Sequence, residues 1–430
     1  MPERSSNNRK NRMDKFRING RVPLSGEVPV SGSKNSSLPA IAACLLTEEP
    51  VILHRVPQVR DIATMLKLLE YNGASVTRRP DGAVRIEAAR ITNPEAPYDI
   101  VKTMRASSLV LGPLAARTGV ARVSVPGGCS IGARPINLHI NGLEHLGATV
   151  HQEHGYIEAS APNGLRGNTV HFERITVTGT EDLMMAAALA KGTTVLENAA
   201  REPEVVDLAE LLTKMGAHIT GAGTPRIQIE GVARLHGAEH TIIPDRIEAG
   251  TLLIAGVMTN SELVVTGCVP EHIASLLSKM RQAGARVEES ATAIETRPVT
   301  RLRSVDMTTE EHPGFATDLQ AQFMALMTGA AGISFITENI FENRFMHVPE
   351  LARMGANIRI EGRQAIVAGP SELTGAQVMC SDLRASASLV LAALVAHGES
   401  ILDRVYHMDR GYEKIEEKLA QAGARIERIG

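Results

Sequence analysis

The hydrophobic and polar positions of this chain follow one pattern that recurs six times. In each copy, leucine and methionine stand at helical spacing, and the run ends in Gly-Ala followed by a short β-like run. The copies end at Gly73, Gly147, Gly216, Gly284, Gly355 and Gly423. These positions are separated by 74, 69, 68, 71 and 68 residues, and so even a spacing predicts a structural repeat rather than chance Gly-Ala pairs.

Each copy predicts a helix, a glycine cap and a strand. The apolar stripe of the helix would face a core, and the glycine would take the left-handed conformation that ends the helix. The Val or Ile that follows would point inward. Another β-like run lies upstream of each helix, as at residues 51–53, 123–125 and 263–265. Each unit reads as strand, loop, helix, strand over about 70 residues, which is longer than a solenoid repeat and predicts small α/β subdomains.

Six units divide into two sets of three, with a predicted boundary near Ile243-Pro244-Asp245. One domain is predicted over residues 34–243, with the first three repeats. The other is predicted over 16–33 and 244–430, because the strand region from Phe16 to Val30 precedes the first unit and can pair with the second half. Residues 1–15 are predicted to form a disordered basic leader, for which contact with an anionic partner is the alternative.

Composition excludes several classes of function. The net charge is −3, which gives no field for nucleic acid, and the absence of Trp argues against base-stacking surfaces. No apolar run approaches a membrane span, and the polar leader lacks the apolar core of a signal peptide. The four cysteines form no C-x-x-C pair, which favours free thiols in a reducing cytoplasm. A homo-oligomer is left open.

Two small-residue loops carry candidate chemistry. In residues 31–36 (SGSKNS), close backbone approach and the charge of Lys34 suit a phosphate or carboxylate, although a solvated turn lysine is the alternative. In residues 126–135 (PGGCSIGARP), Arg134 and the loop amides would favour the thiolate of Cys129. Such a thiol can act as a nucleophile or a proton donor, and a plain surface thiol is the alternative.

Arginines near helix starts form a third group. Arg105 and Arg384 lie in similar segments of opposite halves, and Arg344 and Arg410 add to the second half. Guanidinium groups at paired positions suit a small polyanion, with structural ion pairs as the alternative. Asp318 stands where a loop meets a helix and is a candidate general base or an N-cap.

Two kinds of site are not supported by the sequence. No H-E-x-x-H motif occurs, and the two histidines of residues 151–154 lie in a predicted hairpin without a third ligand, so no metal is expected. No G-x-G-x-x-G follows a strand, so a dinucleotide-binding fold is not expected.

Several long motifs resemble the UDP-N-acetylglucosamine 1-carboxyvinyltransferase family, in the same order and from about Phe16 to the C-terminus. They are SGSKNSSLP (31–39), GGCSIGARPINLH (127–139), ENAAREPE (197–204), TDLQAQF (317–323), ENRFMHVPEL (342–351) and SDLRASASLV (381–390). The resemblance implies an inside-out α/β barrel of two domains, each with three repeats. It implies transfer of enolpyruvyl from phosphoenolpyruvate to the 3-hydroxyl of UDP-N-acetylglucosamine, in cytoplasmic peptidoglycan precursor synthesis and without a cofactor.

The resemblance also implies roles for individual residues. Cys129 matches the proton donor, which can form a phosphoenolpyruvate adduct and is alkylated by fosfomycin, and Asp318 matches the proposed base at the sugar 3-hydroxyl. Lys34 and Asn35 match phosphoenolpyruvate contacts. Arginines that match ligands of its phosphate and carboxylate are Arg134 and Arg410. The other matched substrate contacts are Arg105, Pro135, Ile136, Asn137, Leu138, His139, Arg174, Thr176, Val177, Ile340, Arg344 and Arg384.

In the implied mechanism, the sugar hydroxyl attacks C2 of the enol while C3 is protonated, and closure of the domains and the glycine-rich loop excludes water. Four residues depart from the family pattern: Asn137 replaces an acid, Arg174 a lysine, Thr176 a serine and Ala316 a proline. Two alternatives remain. One is the relative that uses shikimate 3-phosphate as acceptor, and the other is a silent paralogue that binds the nucleotide sugar as a regulator.

Overall fold

A computed structural model describes residues 14–102, 104–125 and 136–430. Its strands are β1 (Lys15–Asn19), β2 (Ser25–Pro29), β3 (Val51–His54), β4 (Ser75–Arg78), β5 (Val84–Glu87), β6 (Glu95–Ala96), β7 (Val120–Ser124), β8 (Thr149–Glu153), β9 (Tyr156–Ser160), β10 (Thr169–His171), β11 (Thr193–Glu197), β12 (His218–Thr220), β13 (Arg226–Glu230), β14 (Glu239–Thr241), β15 (Glu262–Thr266), β16 (Arg286–Glu289), β17 (Ala293–Arg297), β18 (Met307–Thr308), β19 (Gly332–Thr337), β20 (Asn357–Glu361), β21 (Gln364–Gly369), β22 (Gln377–Met379), β23 (Glu399–Asp403) and β24 (Arg425–Ile429).

The α-helices are α1 (Lys34–Ala43), α2 (Arg60–Asn72), α3 (Tyr98–Val101), α4 (Leu111–Thr118), α5 (Asn137–His145), α6 (Val177–Ala188), α7 (Pro203–Lys214), α8 (Arg246–Met258), α9 (Ala274–Gln282), α10 (Gln320–Thr328), α11 (Val348–Arg353), α12 (Leu383–Val395) and α13 (Ile415–Gln421). Short 3₁₀ helices span Cys44–Leu46, Arg105–Val110, Pro270–Ile273, Thr317–Leu319 and Val405–Arg410.

The described chain forms two compact units. Unit 1 contains the chain up to Val30, Arg246–Glu310 and Phe315–Gly430. Unit 2 contains Ser31–Asp245 together with the short segment Glu311–Gly314. Each unit has its own continuous hydrophobic core.

The six repeats form six four-stranded sheets, three in each unit. Unit 1 contains the strand orders β22-β23-β1-β24, β16-β17-β15-β2 and β18-β19-β21-β20. Unit 2 contains β10-β11-β13-β12, β14-β3-β5-β4 and β6-β7-β9-β8. In each sheet one edge strand is parallel to its inner neighbour, namely β10 to β11, β14 to β3, β6 to β7, β2 to β15, β18 to β19 and β22 to β23. The other edge strand is antiparallel to its inner neighbour; the two form a hairpin in five sheets, and in the sixth β24 pairs with β1. The predicted α/β class and the count of six repeats are confirmed.

The N-terminal strands belong to sheets of the second half of the chain. Strand β1 lies between β23 and β24, antiparallel to both, and β2 runs parallel to β15. Strand β1 begins at Lys15, one residue before the predicted start at Phe16, and Lys15 forms an ion pair with Asp403 at 2.6 Å. Residue 15 is therefore part of the fold and not of the predicted leader.

All six Gly-Ala glycines have the predicted conformation. Their φ angles lie between 88° and 107°, where a side chain would be strained, and each follows the end of an outer helix. The strand after each glycine is an edge strand, namely β4, β8, β12, β16, β20 or β24. The predicted inward Val or Ile is buried in β16 and β24 but only half-buried in the other four, because an edge strand has a neighbour on one side only.

Every repeat also contains a helix that the periodicity does not reveal. The helices α1, α4 and α6 in unit 2, and α8, α10 and α12 in unit 1, consist mostly of buried residues. Within unit 1 the three pack directly against one another, with the more amphipathic helices outside them. In unit 2, α6 contacts both α1 and α4. Core helices thus lie at the centre of each unit, and the beginnings of three of them carry Lys34 and Asn35 (α1), Val177 (α6) and Arg384 (α12).

Candidate active site

Asp318 lies between two arginines in unit 1. Its Oδ1 accepts from Nη2 of Arg344 at 2.6 Å, and its Oδ2 accepts from Nη2 and Nε of Arg384 at 2.8 and 3.1 Å. The arginine side chains are 6% and 4% exposed, whereas the Asp318 side chain is 26% exposed. The structure therefore brings three of the predicted residues into direct contact, and the carboxylate is the most accessible of them.

Local structure at two core helices places this cluster. Asp318 is the middle residue of the 3₁₀ helix that leads into α10, and Arg384 is in the first turn of α12. Asp382 caps α12 by accepting from the backbone N–H of Arg384 at 3.0 Å. The N-cap positions of the 3₁₀ helix and of α10 are Ala316 and Leu319, so the alternative of Asp318 as an N-cap is wrong.

The buried side chain of Gln322 contacts the backbone of this Asp318 cluster. Nε2 of Gln322 donates to the backbone carbonyl of Asp318 at 2.9 Å and to the hydroxyl of Tyr412 at 3.2 Å. The Tyr412 ring also lies 5.4 Å from the Arg384 guanidinium carbon, a cation–π distance. Arg410, two residues earlier, is half-buried at the end of the 3₁₀ helix that packs on α12.

In unit 2, Lys34 and Asn35 are the first two residues of α1. Ser33 caps this helix by accepting from the backbone N–H of Ser36 at 3.2 Å. The Lys34 ammonium lies 3.5 Å from Asp61, with 12% of the lysine and 6% of the aspartate side chain exposed. Gly32 is required here, because a Cβ at this position would lie 1.7 Å from the carbonyl oxygen of Arg55. The approach of a phosphate or carboxylate to this backbone stays a prediction.

Two other predicted stretches of unit 2 lie side by side at the starts of α5 and α6. Nδ1 of His139 lies 3.1 Å from Asp182 and Nε2 lies 3.2 Å from Thr178, so both ring nitrogens face α6 partners. Thr176 is the N-cap of α6 and accepts from the backbone N–H of Gly179. Leu138 is a core residue, so a ligand would meet its backbone rather than its side chain.

The remaining described site residues have simple placements. Arg105 is half-buried and begins the 3₁₀ helix that leads into α4, and Ile340 is half-buried beside Glu338. Ile136 is half-buried, Asn137 and Arg174 are exposed, and Val177 begins α6.

Cys129, Arg134 and Pro135 lie outside the described residues. The other three cysteines are free and buried. Burial raises the pKa of Cys380 to about 11 and raises the pKa of Cys44 further, so neither thiol is activated. Among residues 14–102, 104–125 and 136–430, no helix is long and apolar enough to cross a membrane, and no three metal-ligating side chains converge.

Sequence reasoning missed the partners that hold these groups. Asp61, Gln322 and Tyr412 come from distant parts of the chain and are brought to the site by the fold. Asp61 looks like an ordinary acid in the first turn of an amphipathic helix. A polar residue inside an otherwise apolar stretch, as at Gln322 in α10, was the one usable signal.

Comparison with known proteins assigns the family. The sequence pattern described as EPSP synthase (3-phosphoshikimate 1-carboxyvinyltransferase) matches residues 18–419. A protein of Solibacter usitatus named UDP-N-acetylglucosamine 1-carboxyvinyltransferase is 70% identical over 418 residues, covering 97% of this chain and all of the relative. A protein of the same name from Koribacter versatilis is 61% identical, with 97% of both chains covered.

Solved structures agree with this assignment. The enolpyruvyl transferase NikO of Streptomyces tendae has a TM-score of 0.87 and 27% identity, over 97% of this chain and 99% of its own. The EPSP synthase of Acinetobacter baumannii has a TM-score of 0.74 over 97% of this chain and 100% of its own, and at 18% identity it shows the shared fold alone. This chain therefore belongs to the EPSP synthase family of carboxyvinyltransferases, and within it to the group of the UDP-N-acetylglucosamine 1-carboxyvinyltransferases.

Proposed function

We propose that this protein transfers the enolpyruvyl group of phosphoenolpyruvate to the 3-hydroxyl of UDP-N-acetylglucosamine and releases phosphate. Relatives with that name cover 97% of the chain at 55–70% identity. The observation in the structure that supports the proposal best is the accessible carboxylate of Asp318, flanked by two buried guanidinium groups. A base next to fixed cations suits an acceptor hydroxyl that must react with a polyanion.

The proposed reaction is an addition followed by an elimination. The sugar oxygen forms a bond to C2 of phosphoenolpyruvate, its proton passes to Asp318, and C3 receives a proton from the thiol of Cys129. In the elimination, C3 returns a proton to the thiolate of Cys129, the bond between C2 and the phosphate oxygen breaks, and phosphate leaves with the proton that Asp318 had accepted. Atoms and charge balance without an oxidant, a metal or an organic cofactor.

The cationic residues stabilise charge in this scheme. Lys34, Arg134 and Arg410 bind the phosphate and carboxylate of phosphoenolpyruvate, whose charges persist in the tetrahedral intermediate. The other cationic residues proposed to contact the substrates are Arg105, Arg344 and Arg384. Asn35, next to Lys34, is proposed to contact phosphoenolpyruvate. The residues proposed to bind the nucleotide sugar are Pro135, Ile136, Asn137, Leu138, His139, Arg174, Thr176, Val177 and Ile340.

An acceptor hydroxyl must approach Asp318 beside its two arginines. Both of its oxygens are engaged by guanidinium groups, which stabilise the charged carboxylate and weaken it as a base. An incoming polyanion competes for the same guanidinium groups, so binding of phosphoenolpyruvate would loosen these ion pairs. Ala316, which stands where the family pattern has proline, is the N-cap residue of this 3₁₀ segment and forms no side-chain cap.

The setting of the reaction is part of the proposal. We place it in the cytoplasm and in peptidoglycan precursor synthesis, because the proposed acceptor is a cytoplasmic cell-wall precursor and the described cysteines are free thiols. Phosphate release from phosphoenolpyruvate by the purified protein tests the reaction. We expect release with UDP-N-acetylglucosamine; no release with this acceptor would contradict the proposal, and equal release with shikimate 3-phosphate would favour the alternative acceptor.

A further inference from the structure

We propose that Glu338 and Thr317 are positioning residues that orient Arg344, and through it Asp318, for enolpyruvyl transfer. The inference rests on the proposed function, because it assigns a role in that reaction. The two residues are not among the proposed substrate contacts. Neither residue needs to touch a substrate. They act through a line of hydrogen bonds that ends on the proposed base.

The carboxylate of Glu338 is the anchor of this line. Glu338 follows β19 and is 1% exposed. Its Oε1 accepts from the hydroxyl of Thr309 at 2.8 Å and from the backbone N–H groups of Ile340 and Phe341 at 2.9 and 3.1 Å. Its Oε2 accepts from the hydroxyl of Thr317 at 2.9 Å. Four donors offset the cost of burying the charge and leave the carboxylate little freedom to move.

The hydroxyl of Thr317 gives the line its direction. A hydroxyl has a single hydrogen, and at Thr317 that hydrogen is donated to Glu338. A lone pair of the same oxygen is then free to accept from Nη1 of Arg344 at 2.7 Å. Nη2 of Arg344 in turn reaches Asp318 at 2.6 Å. Charge thus alternates along the line from Glu338 to Arg344 to Asp318, with the threonine hydroxyl as the bridge.

Glu338 holds Arg344 in a second way. The guanidinium carbon of Arg344 lies 5.2 Å from the centroid of the Phe341 ring, a cation–π distance. The backbone of Phe341 is fixed by its hydrogen bond to Glu338. The same carboxylate therefore orders the ring that faces the guanidinium and the hydroxyl that binds it, and it also orders Ile340, a proposed nucleotide-sugar contact.

Changing Glu338 to Gln should disturb this line with little change of shape. The Gln carbonyl can replace only one carboxylate oxygen, and the amide nitrogen donates where Oε2 accepted. The Thr317 oxygen would then face two donors, and its own hydrogen would lose its acceptor. We expect kcat to fall about tenfold to hundredfold, since charge-assisted hydrogen bonds are the strong ones.

Thr317 separates positioning from a purely structural role of Glu338. Thr317→Val keeps the shape of the side chain and leaves the bonds of Glu338 to Thr309, Ile340 and Phe341 in place, but it breaks the line to Arg344. We expect a fall in kcat similar to that in E338Q, with the KM for UDP-N-acetylglucosamine within about twofold of wild type. Thr317→Ser restores the hydroxyl and should recover most of the turnover.

The experiment measures kcat, the KM for each substrate and the melting temperature for E338Q, T317V, T317S and the double variant T317V/E338Q. Glu361→Gln is the matched control, because this carboxylate is exposed on β20 and forms an ion pair with the surface residue Arg359. Residues on one line should give non-additive losses, so the double variant should be no slower than the slower single variant.

The outcomes are distinguishable. If T317V keeps wild-type kcat, or if T317S is as slow as T317V, the positioning role is wrong even if E338Q is unstable. Losses that add in full in the double variant would also overturn it. If the wild-type protein itself releases no phosphate, the proposed function fails instead.

Discussion

The two units share one architecture but hold the charged groups at their core helices in opposite ways. In unit 1 the anion is the more accessible partner: Asp318 is 26% exposed, while Arg344 and Arg384 are 6% and 4% exposed. In unit 2 the cation is the more accessible partner, with Lys34 at 12% and Asp61 at 6%. In each unit the more accessible partner is the residue with the proposed role of base (Asp318) or of phosphoenolpyruvate ligand (Lys34), and its counter-charge lies deeper.

The difference has a physical reason. A buried charge must be compensated by partners, and the partner that is deepest is also the most rigid. A rigid pair of guanidinium groups can hold a carboxylate ready to meet a hydroxyl, and a rigid carboxylate can hold an ammonium ready to meet a phosphate. In the proposed reaction, an anionic substrate would compete with Asp318 and Asp61 for these cations.

The largest effect on turnover is expected at Cys129, the proposed proton donor. Cys129→Ser should lower kcat about 10³- to 10⁴-fold, because a serine hydroxyl is a far weaker acid than a thiol. Steady-state phosphate release measures this. Cys380→Ser is the control, since burial raises the pKa of that thiol to about 11 and it should not react. A C129S protein with normal turnover would refute the proton-donor role.

The same thiol predicts a pattern of inhibition. Fosfomycin should alkylate Cys129 and leave Cys44, Cys268 and Cys380 unmodified, as peptide mass spectrometry would show. Cys129→Asp should retain an acid and resist the epoxide. Modification of a buried cysteine before Cys129 would contradict the assignment.

The next largest effect is expected at the anion of unit 1. Asp318→Asn should lower kcat about 10²- to 10³-fold, because the amide cannot accept the hydroxyl proton and leaves two buried guanidinium groups without their carboxylate. The matched control is Asp306→Asn, an exposed aspartate of the same unit that accepts from the backbone N–H of Phe335. Equal activity in D318N and D306N would remove Asp318 from the mechanism.

A smaller effect is expected at the cation of unit 2. Lys34→Ala should lower kcat/KM for phosphoenolpyruvate about tenfold to hundredfold, and Lys34→Arg should recover only part, since a planar fork does not replace a compact ammonium beside Asp61. Titration with phosphoenolpyruvate at saturating UDP-N-acetylglucosamine measures the change. Lys67→Ala, an exposed lysine on α2, is the control. If K34A and K67A behave alike, the lysine has no role in binding.

Buried titratable groups sharpen the comparison through pH. Burial lowers the pKa of His347 in unit 1 to about 4, so the unfolded chain takes up a proton between about pH 6.5 and pH 4 that the folded chain does not. Stability should therefore fall by up to about 3 kcal/mol as the pH falls through this window. Thermal or urea unfolding at several pH values should show this slope flattened in His347→Gln, and an unchanged slope would contradict it.

Unit 2 predicts the opposite slope at higher pH. Burial, together with Glu204, Glu202 and Asp182, raises the pKa of Glu181 well above its usual value. As the pH rises above that usual value, the unfolded chain releases a proton that the folded chain keeps, so stability falls. Glu181→Gln should reduce this loss in the same unfolding measurements. A variant that is less stable than wild type at alkaline pH would show that Glu181 is charged in the fold.

The fold was predictable where local periodicity and backbone conformation decide it. The outer helices have an apolar stripe, and their terminal glycines, such as Gly73 and Gly216, reveal the helix ends. Most core helices could not be predicted in this way because they are buried on nearly all sides, so no 3.6-residue contrast marks them. In α12, even the serines are buried and bond to their own helix, as Ser388 does to Ala385.

The site was predictable in part for a similar reason. Distinctive loop-to-helix motifs contain Lys34, Asp318 and Arg384, and the neighbouring residues in each motif made these three predictable. Their partners are set by the tertiary fold: Asp61 meets Lys34 across 27 positions, and Arg384 meets Asp318 across 66. A single sequence carries no local signal that two such distant residues will be in contact. The contact of Glu338 with Thr317 could not be predicted for the same reason.

The central claim is that this chain places enolpyruvyl on a nucleotide sugar. The most direct test incubates the purified protein with phosphoenolpyruvate and with equal amounts of UDP-N-acetylglucosamine and shikimate 3-phosphate, and identifies the products by mass spectrometry. We predict enolpyruvyl-UDP-N-acetylglucosamine with shikimate 3-phosphate unchanged. Enolpyruvyl on shikimate 3-phosphate, or no enolpyruvyl product at all, would contradict the account.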